Sequence, residues 1–255
     1  MNHTAAWILR LCAFWLIGSV ASARAQGGPP LLTDDPGTPD YQHWEINFAW
    51  VTQHSRDGSR STDLPLLDIN YGATERLQIK YEVPWLVANE PGQASRAGLG
   101  NSNFGLKWRF FDNAAEGGIA ISTFPQLEFN NPTSSRRRGL VDSGSSLLLP
   151  VEVQGKLGDL EWNAELGHSF AAQGDDTWIY GLALGRQFNP RLELMVELHG
   201  EGHFSRTEDE LVANAGARVK LTPHETLLVS AGRSVNNQHG TELTFIGYLG
   251  LQTTF

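Results

Sequence analysis

From about residue 44 to the end of the chain, apolar and polar residues alternate with a period of two. In the run Leu192-Glu193-Leu194-Met195-Val196-Glu197-Leu198-His199, the residues Leu192, Leu194, Val196 and Leu198 share one face, and Glu193, Met195, Glu197 and His199 share the other. Successive side chains of a strand point to opposite faces, so such a segment makes a sheet with one apolar and one mostly polar surface. At helical period the glutamates would scatter among the leucines. The same pattern recurs. Trp44, Ile46, Phe48 and Trp50 alternate with Glu45, Asn47 and Ala49. Leu77, Ile79, Tyr81 and Val83 alternate with Gln78, Lys80 and Glu82. Phe104, Leu106, Trp108 and Phe110 alternate with Gly105, Lys107 and Arg109. Leu160, Trp162, Ala164 and Leu166 alternate with Glu161, Asn163 and Glu165.

About twelve strands are expected, near 44–53, 63–71, 75–86, 102–111, 117–129, 145–156, 159–169, 177–188, 191–201, 210–221, 225–234 and 242–255. Their lengths match the ~9–11 residues of a transmembrane β-strand. The connections alternate. Short ones, such as Gly72-Ala73-Thr74, Leu157-Gly158 and Asn189-Pro190, take turns with long ones near 54–62, 87–101, 130–144, 170–176, 202–209 and 235–241. Bacterial outer-membrane barrels have short periplasmic turns and longer outer loops, whereas a water-soluble sandwich has no reason to keep that order. Aromatic residues gather at the strand ends: Trp44, Tyr71, Phe110, Trp162, Phe188 and Phe255 on the turn side, and Trp85, Phe129, Trp178 and Phe245 on the loop side. That placement reads as two interfacial girdles. Arg186 and Arg233 break the apolar parity and are expected to snorkel at the interfaces. The fold class is therefore all-β, an antiparallel transmembrane up-and-down β-barrel.

The first 25 residues differ. Arg10 precedes the apolar run Leu11–Val20, Ala23-Arg24-Ala25 offers a small-x-small cleavage site, and no acidic residue occurs before Asp34. This is the pattern of a secretory signal cleaved after Ala25. The apolar run is too short for a bilayer core of about 30 Å. Cys12, the single cysteine, lies inside it, so the exported chain has no thiol and no disulfide. Without Arg10 and Arg24 the 19 basic residues fall to 17 against 28 acidic ones, a net charge of -11, which argues against nucleic acid as a partner. The expected organisation is a signal peptide at 1–25, a periplasmic N-terminal segment at 26–43 and a barrel at 44–255 in the outer membrane of a Gram-negative bacterium.

The segment Gly28-Pro29-Pro30-Leu31-Leu32-Thr33-Asp34-Asp35-Pro36-Gly37-Thr38-Pro39, followed by His43-Trp44-Glu45, resembles the opening of barrel proteins of the "MetA-pathway of phenol degradation" family. The motif residues are Thr33, Asp34, Asp35, Pro36, Trp44 and Glu45. The resemblance implies a transporter-like role, in some members linked to aromatic catabolism, and leaves the solute unnamed.

Inward faces carry both charge signs, with Asp68, Lys80, Glu82, Lys107, Arg109, Glu128, Glu152, Lys156, Glu161, Glu165, Glu193, Glu197, Arg218 and Lys220. The pathway residues expected to line a wet lumen are Lys80, Glu82, Lys107, Arg109, Glu161, Glu165, Glu193, Glu197, Arg218 and Lys220. Three readings follow: a passive channel for small, aromatic or hydrophobic solutes; a salt-bridged, plugged barrel that only stabilises itself; and an outer-membrane lipid-modifying enzyme. The third is disfavoured. His168 and Ser169 are adjacent on a strand and so face opposite sides, and no nucleophile elbow or H-E-x-x-H spacing occurs. No cofactor or catalytic residue is expected. Asp34-Asp35 reads as a solvated turn rather than a metal site. Expected partners are outer-membrane lipids, lipopolysaccharide near Arg136-Arg137-Arg138, and the barrel-assembly machinery through the C-terminal strand.

Leu243, Phe245, Leu249, Leu251 and Phe255 lie on one face of the last strand, and an alternating final strand with a terminal Phe resembles the insertion signal of outer-membrane proteins. Deleting Phe255 is therefore expected to lower the heat-modifiable, membrane-inserted fraction in cells several-fold. Normal insertion of the truncated chain would refute this role.

Overall fold

The structure, a computed structural model, describes residues 28–142, 144–202, 210–236 and 243–255. The expected signal peptide and its cleavage site lie outside the described residues. Fourteen strand segments build one sheet: β1 (Trp44–Ser55), β2 (Arg60–Thr74), β3 (Leu77–Asn89), β4 (Arg96–Leu99), β5 (Ser102–Asp112), β6 (Ile119–Thr123), β7 (Gln126–Phe129), β8 (Ser145–Leu157), β9 (Leu160–Ala171), β10 (Thr177–Asn189), β11 (Leu192–Gly202), β12 (Glu210–Lys220), β13 (Glu225–Ser234) and β14 (Leu243–Thr254). Each of β8 to β14 pairs antiparallel with the next, and β14 pairs with β1 from Glu45↔Thr254 to His54↔Phe245. That last ladder closes the sheet. The backbone of Phe255 completes it, donating to the Trp44 carbonyl at 3.1 Å and accepting from the Trp44 amide at 2.8 Å.

Two staves are interrupted, so fourteen segments make a barrel of twelve staves. β4 and β5 both pair with β3 and form one stave broken at Gly100-Asn101. β6 and β7 both lie between β5 and β8 and form another, broken at Phe124-Pro125. The sequence reading of one strand over 117–129 therefore needs correction. Pro125 has no amide to donate to a ladder, and the stave breaks there. The stretch read as loop 87–101 also contains β4, and β3 runs on to Asn89.

The expected parity holds. Phe48 is 56% exposed and its neighbour Asn47 only 1%; Val196 is 52% exposed and Glu197 4%. Polar residues face in and apolar ones face out, the inverse of a water-soluble domain, and the arrangement suits contact with hydrocarbon. At the ends of the apolar band, Trp44 stacks on Tyr71 with centroids 4.6 Å apart, and His168 packs edge-on against Trp178 at 4.5 Å. Arg186 lies at the turn-side end, where it meets Asp159 at 3.2 Å and covers the Phe188 ring. Ion pairing and aromatic contact at the rim explain how this outward charge is accommodated.

Val196→Arg would place a charge in the middle of β11 on the lipid side and is expected to cost about 2–4 kcal/mol in refolding titrations into bilayers. Gln252→Arg, on an inward position facing an open cavity at the turn side, is expected to shift the same midpoint by well under half as much. Equal shifts would contradict the assigned faces.

Candidate functional site

The N-terminal segment does not project from the barrel. Residues 28–38 fold back into the lumen, which corrects the expectation of a periplasmic tail at 26–43. Their residues are rich in Pro and Gly and form no strand, so the backbone amides and carbonyls need partners. The wall supplies them. The Glu197 carboxylate of β11 accepts from the amides of Leu32 and Thr33, both at 2.8 Å, and from Asn214 Nδ2 at 2.9 Å. Glu165 of β9 accepts from the Asp34 amide at 3.1 Å. From the other side, Lys107 Nζ of β5 donates to the Asp34 carboxylate at 2.7 Å and to the Asp35 carbonyl at 2.6 Å. Arg218 of β12 donates to the carbonyls of Pro29 and Gly28 at 2.7 and 3.3 Å, and Ser230 Oγ of β13 to that of Pro30 at 2.7 Å. Groups from five strands thus converge on one short segment.

Packing seats it as well. Leu31 lies in a small apolar cluster with Ala183 and Met195. Thr33 rests on Gly181 so closely that a Cβ there would collide with it, and Pro30 approaches Gly216 in the same way, at 3.2 Å from where a Cβ would be. Burial works against charge on Asp34, but the ammonium of Lys107, aided by Lys80, outweighs it and holds the carboxyl below its ordinary range.

The remaining pathway residues divide between this clamp and local pairs. Lys80 bridges Glu82 at 2.9 Å and Asp68 at 3.6 Å, and Asp68 also accepts from Asn47 and Asn70. Glu161 pairs with Lys156 at 2.6 Å, and Glu193 faces Arg218 at 3.6 Å. Arg109 sits at the turn-side rim, donating to the Glu75 carbonyl at 2.6 Å and facing Asp112. Lys220 is exposed at the same rim. Of the N-terminal motif, Thr33, Asp34, Asp35 and Pro36 are in the plug, Trp44 is on the outer face and Glu45 faces inward. Two contributors escaped the sequence reading: Ser230, which holds a plug carbonyl, and Ser122, which donates to the fully buried Glu152. An inward serine on a strand is too common to single out in advance.

Beside the plug, between Asp35, Asp68, Lys80 and Lys107, a cavity of about 40 Å³ remains. That is room for water and not for an organic solute. On the turn side a vestibule of about 520 Å³ opens between Asp40, Glu45, Glu193, Lys220 and Gln252. Among the described residues no group of three or more His, Cys, Asp or Glu side chains is placed to hold a metal ion. His168 pairs with Trp178 on the outer face while Ser169, one residue on, faces inward, so the two do not form a nucleophile and base.

Lys107→Met would leave Asp34 buried without its cation. Removing one member of a buried pair costs about 3–5 kcal/mol when burial is complete. With Asp34 one fifth exposed, the expected loss is nearer the lower bound, roughly 3 kcal/mol in urea midpoints. Adding Asp34→Asn should recover part of it; strictly additive losses would show that the two groups do not interact.

No family model matches the chain, so the resemblance of its opening to the phenol-degradation family gains no support from that side. No curated protein matches it either. Among solved structures it is similar to the COG4313 outer membrane channel from Pseudomonas putida F1, with a TM-score of 0.70 and 14% identity over 87% of this chain and 98% of that one. It is also similar to the KdgM porin, with a TM-score of 0.58 and 12% identity over 83% and 99% of the two chains. The NanC porin follows at 0.55 and 10% identity over 83% and 98%. At such identities the likeness concerns the fold, and it identifies the architecture as that of an outer-membrane β-barrel.

Proposed function

We propose that the protein is a passive channel of the Gram-negative outer membrane for small solutes, aromatic and hydrophobic ones among them, and that residues 28–38 are its displaceable plug. The observation that carries this reading is the chemistry of the plug seat. Carboxylates, an ammonium, a guanidinium and a hydroxyl hold the segment mainly through its backbone atoms. Water or a passing solute can replace such contacts one by one, and a segment with no strand pairing of its own can leave without unzipping the wall. An inert barrel would fill its lumen more simply with side chains from the wall itself.

Two further features support it. The turn-side half of the lumen carries the charged clamp. The loop-side half places Leu66, Leu86, Leu148, Ile179, Val212 and Ile246 on inward positions of the register. These apolar positions alternate around the wall with the inward Gln53, Asp63, Glu128 and His199, a mixed lining that accommodates a solute with both a hydrophobic body and a polar group. The fold neighbours are a channel and porins, which is consistent with passage through the lumen. No step of this reading requires a cofactor or a catalytic group.

Glu197→Gln tests the plug. The amide can accept one of the two backbone N–H bonds but turns a donor toward the other. Losing one charge-assisted hydrogen bond, about 1.5–3 kcal/mol, should raise the open fraction at least about tenfold. Single-channel recording in planar bilayers reads this directly. If wild type and variant are both silent while the variant unfolds at lower urea, the lumen charges serve stability alone and the channel reading falls.

A further inference from the structure

We propose that Arg136, Arg137 and Arg138 form a filter at the loop-side mouth of the lumen that binds small organic anions, carboxylates with a hydrophobic body above all. The inference rests on the channel reading and names the solute class that the mouth selects.

The position of the loop comes first. Gly98 of β4 pairs with Leu86, Leu86 with Asp63, Asp63 with Val51 and Val51 with Tyr248, and the same face of β1 carries the buried Ala49. Gly98 therefore faces the lumen. A Cβ on it would collide with the Arg138 guanidinium and lie 3.0 Å from the Ser135 hydroxyl and 3.1 Å from Leu140. The loop after β7 is thus folded over the inner side of β4, and not outward over the lipid-facing wall. Ser135 and Leu140 are buried there.

The loop is also fastened. Arg96 donates to the carbonyls of Gly139 and Arg138 at 2.6 and 3.3 Å, and its other nitrogen pairs with Glu90. Asn131 donates to the Gly100 carbonyl at 2.6 Å, and Asn130 to Asn101 and to the Asp142 carbonyl at 2.8 and 2.7 Å. These bonds use backbone atoms and amide side chains. They leave Arg136, Arg137 and Arg138 as exposed residues whose guanidinium groups make no hydrogen bond or ion pair to any described residue, with that of Arg138 lying against Gly98 on the inner side of β4. Of the acids nearby, Glu90 is taken by Arg96 and Gln93 and Glu128 by Asn101.

Cations on three successive residues repel one another, and a carboxylate relieves that repulsion through paired N–H bonds that suit the planar guanidinium. On the same inner face as Gly98, the half-buried Leu86 offers apolar surface to the rest of the solute. A phosphate of lipopolysaccharide would satisfy the arginines too, but Arg138 lies on the inner side of β4, away from the lipid-facing wall.

The test uses the full-length exported protein, wild type and R136Q/R137Q/R138Q, both checked as folded by heat-modified gel mobility. Fluorine NMR follows binding of 4-fluorobenzoate, with fluorobenzene as the uncharged control. Planar bilayers give the reversal potential in a KCl gradient. We expect the triple variant to bind 4-fluorobenzoate at least fivefold more weakly, to treat fluorobenzene as wild type does, and to shift its reversal potential toward cation selectivity. Unchanged 4-fluorobenzoate binding overturns the filter, and so does a loss confined to binding of vesicles containing lipopolysaccharide. If both proteins are silent in bilayers and the fivefold loss persists, the anion site stands and the channel reading fails. If both conduct with the same binding and reversal potential, the channel stands and the filter fails.

Discussion

A sheet in hydrocarbon cannot have an edge, because an unpaired amide or carbonyl has no water to turn to. The ladder between β1 and β14 removes the edge here, and the other features of the molecule depend on it. Closure turns one face of every strand toward lipid and the other toward a shared interior. It also brings residues that are far apart in the chain, such as Lys107 and Glu197, within reach of one short peptide.

Closure creates its own difficulty. The interior of this barrel collects carboxylates and cations that water alone must solvate if the lumen is empty, and several are almost completely buried. The N-terminal segment resolves much of this. Its amides face Glu165 and Glu197, and its carbonyls face Lys107, Arg218 and Ser230. Glu165, Glu197, Lys107 and Arg218 thereby meet an opposite partial charge, which is the condition for keeping charges out of water. The same contacts that satisfy the wall also close the pathway, so stability and occlusion have one cause.

The two ends of the lumen are built differently. Toward the turns the connections are short and the lumen is lined by the plug and its clamp. Toward the loops one stave is interrupted at Gly100-Asn101, and that gap is bridged by Asn130 and Asn131 from the connecting loop. Side-chain amides replace backbone partners where the bend removes them. That substitution is what fixes the arginine-bearing loop across the inner side of β4.

Strand parity was legible in the residues alone. The period of two assigns Glu193 and Glu197 to one face and Leu194 and Val196 to the other, and a one-residue slip would turn every one of them over. The even alternation of short and long connections likewise determined the barrel topology, because it reflects which side of a membrane each turn must lie on. Pro125 could have been read as the end of a segment, and the reading of one strand over 117–129 underweighted the missing donor. Residues 28–38 carried no such signal. Their bonds run through backbone atoms, which every sequence possesses, and their glycine seats, Gly181 and Gly216, look like ordinary strand glycines until the plug lies on them. The sequence by itself determined which side chains face lipid, since that follows from local geometry repeated every second residue. Only the tertiary structure decided what fills the interior and which loop crosses its mouth, because those contacts join residues with no periodic relation along the chain.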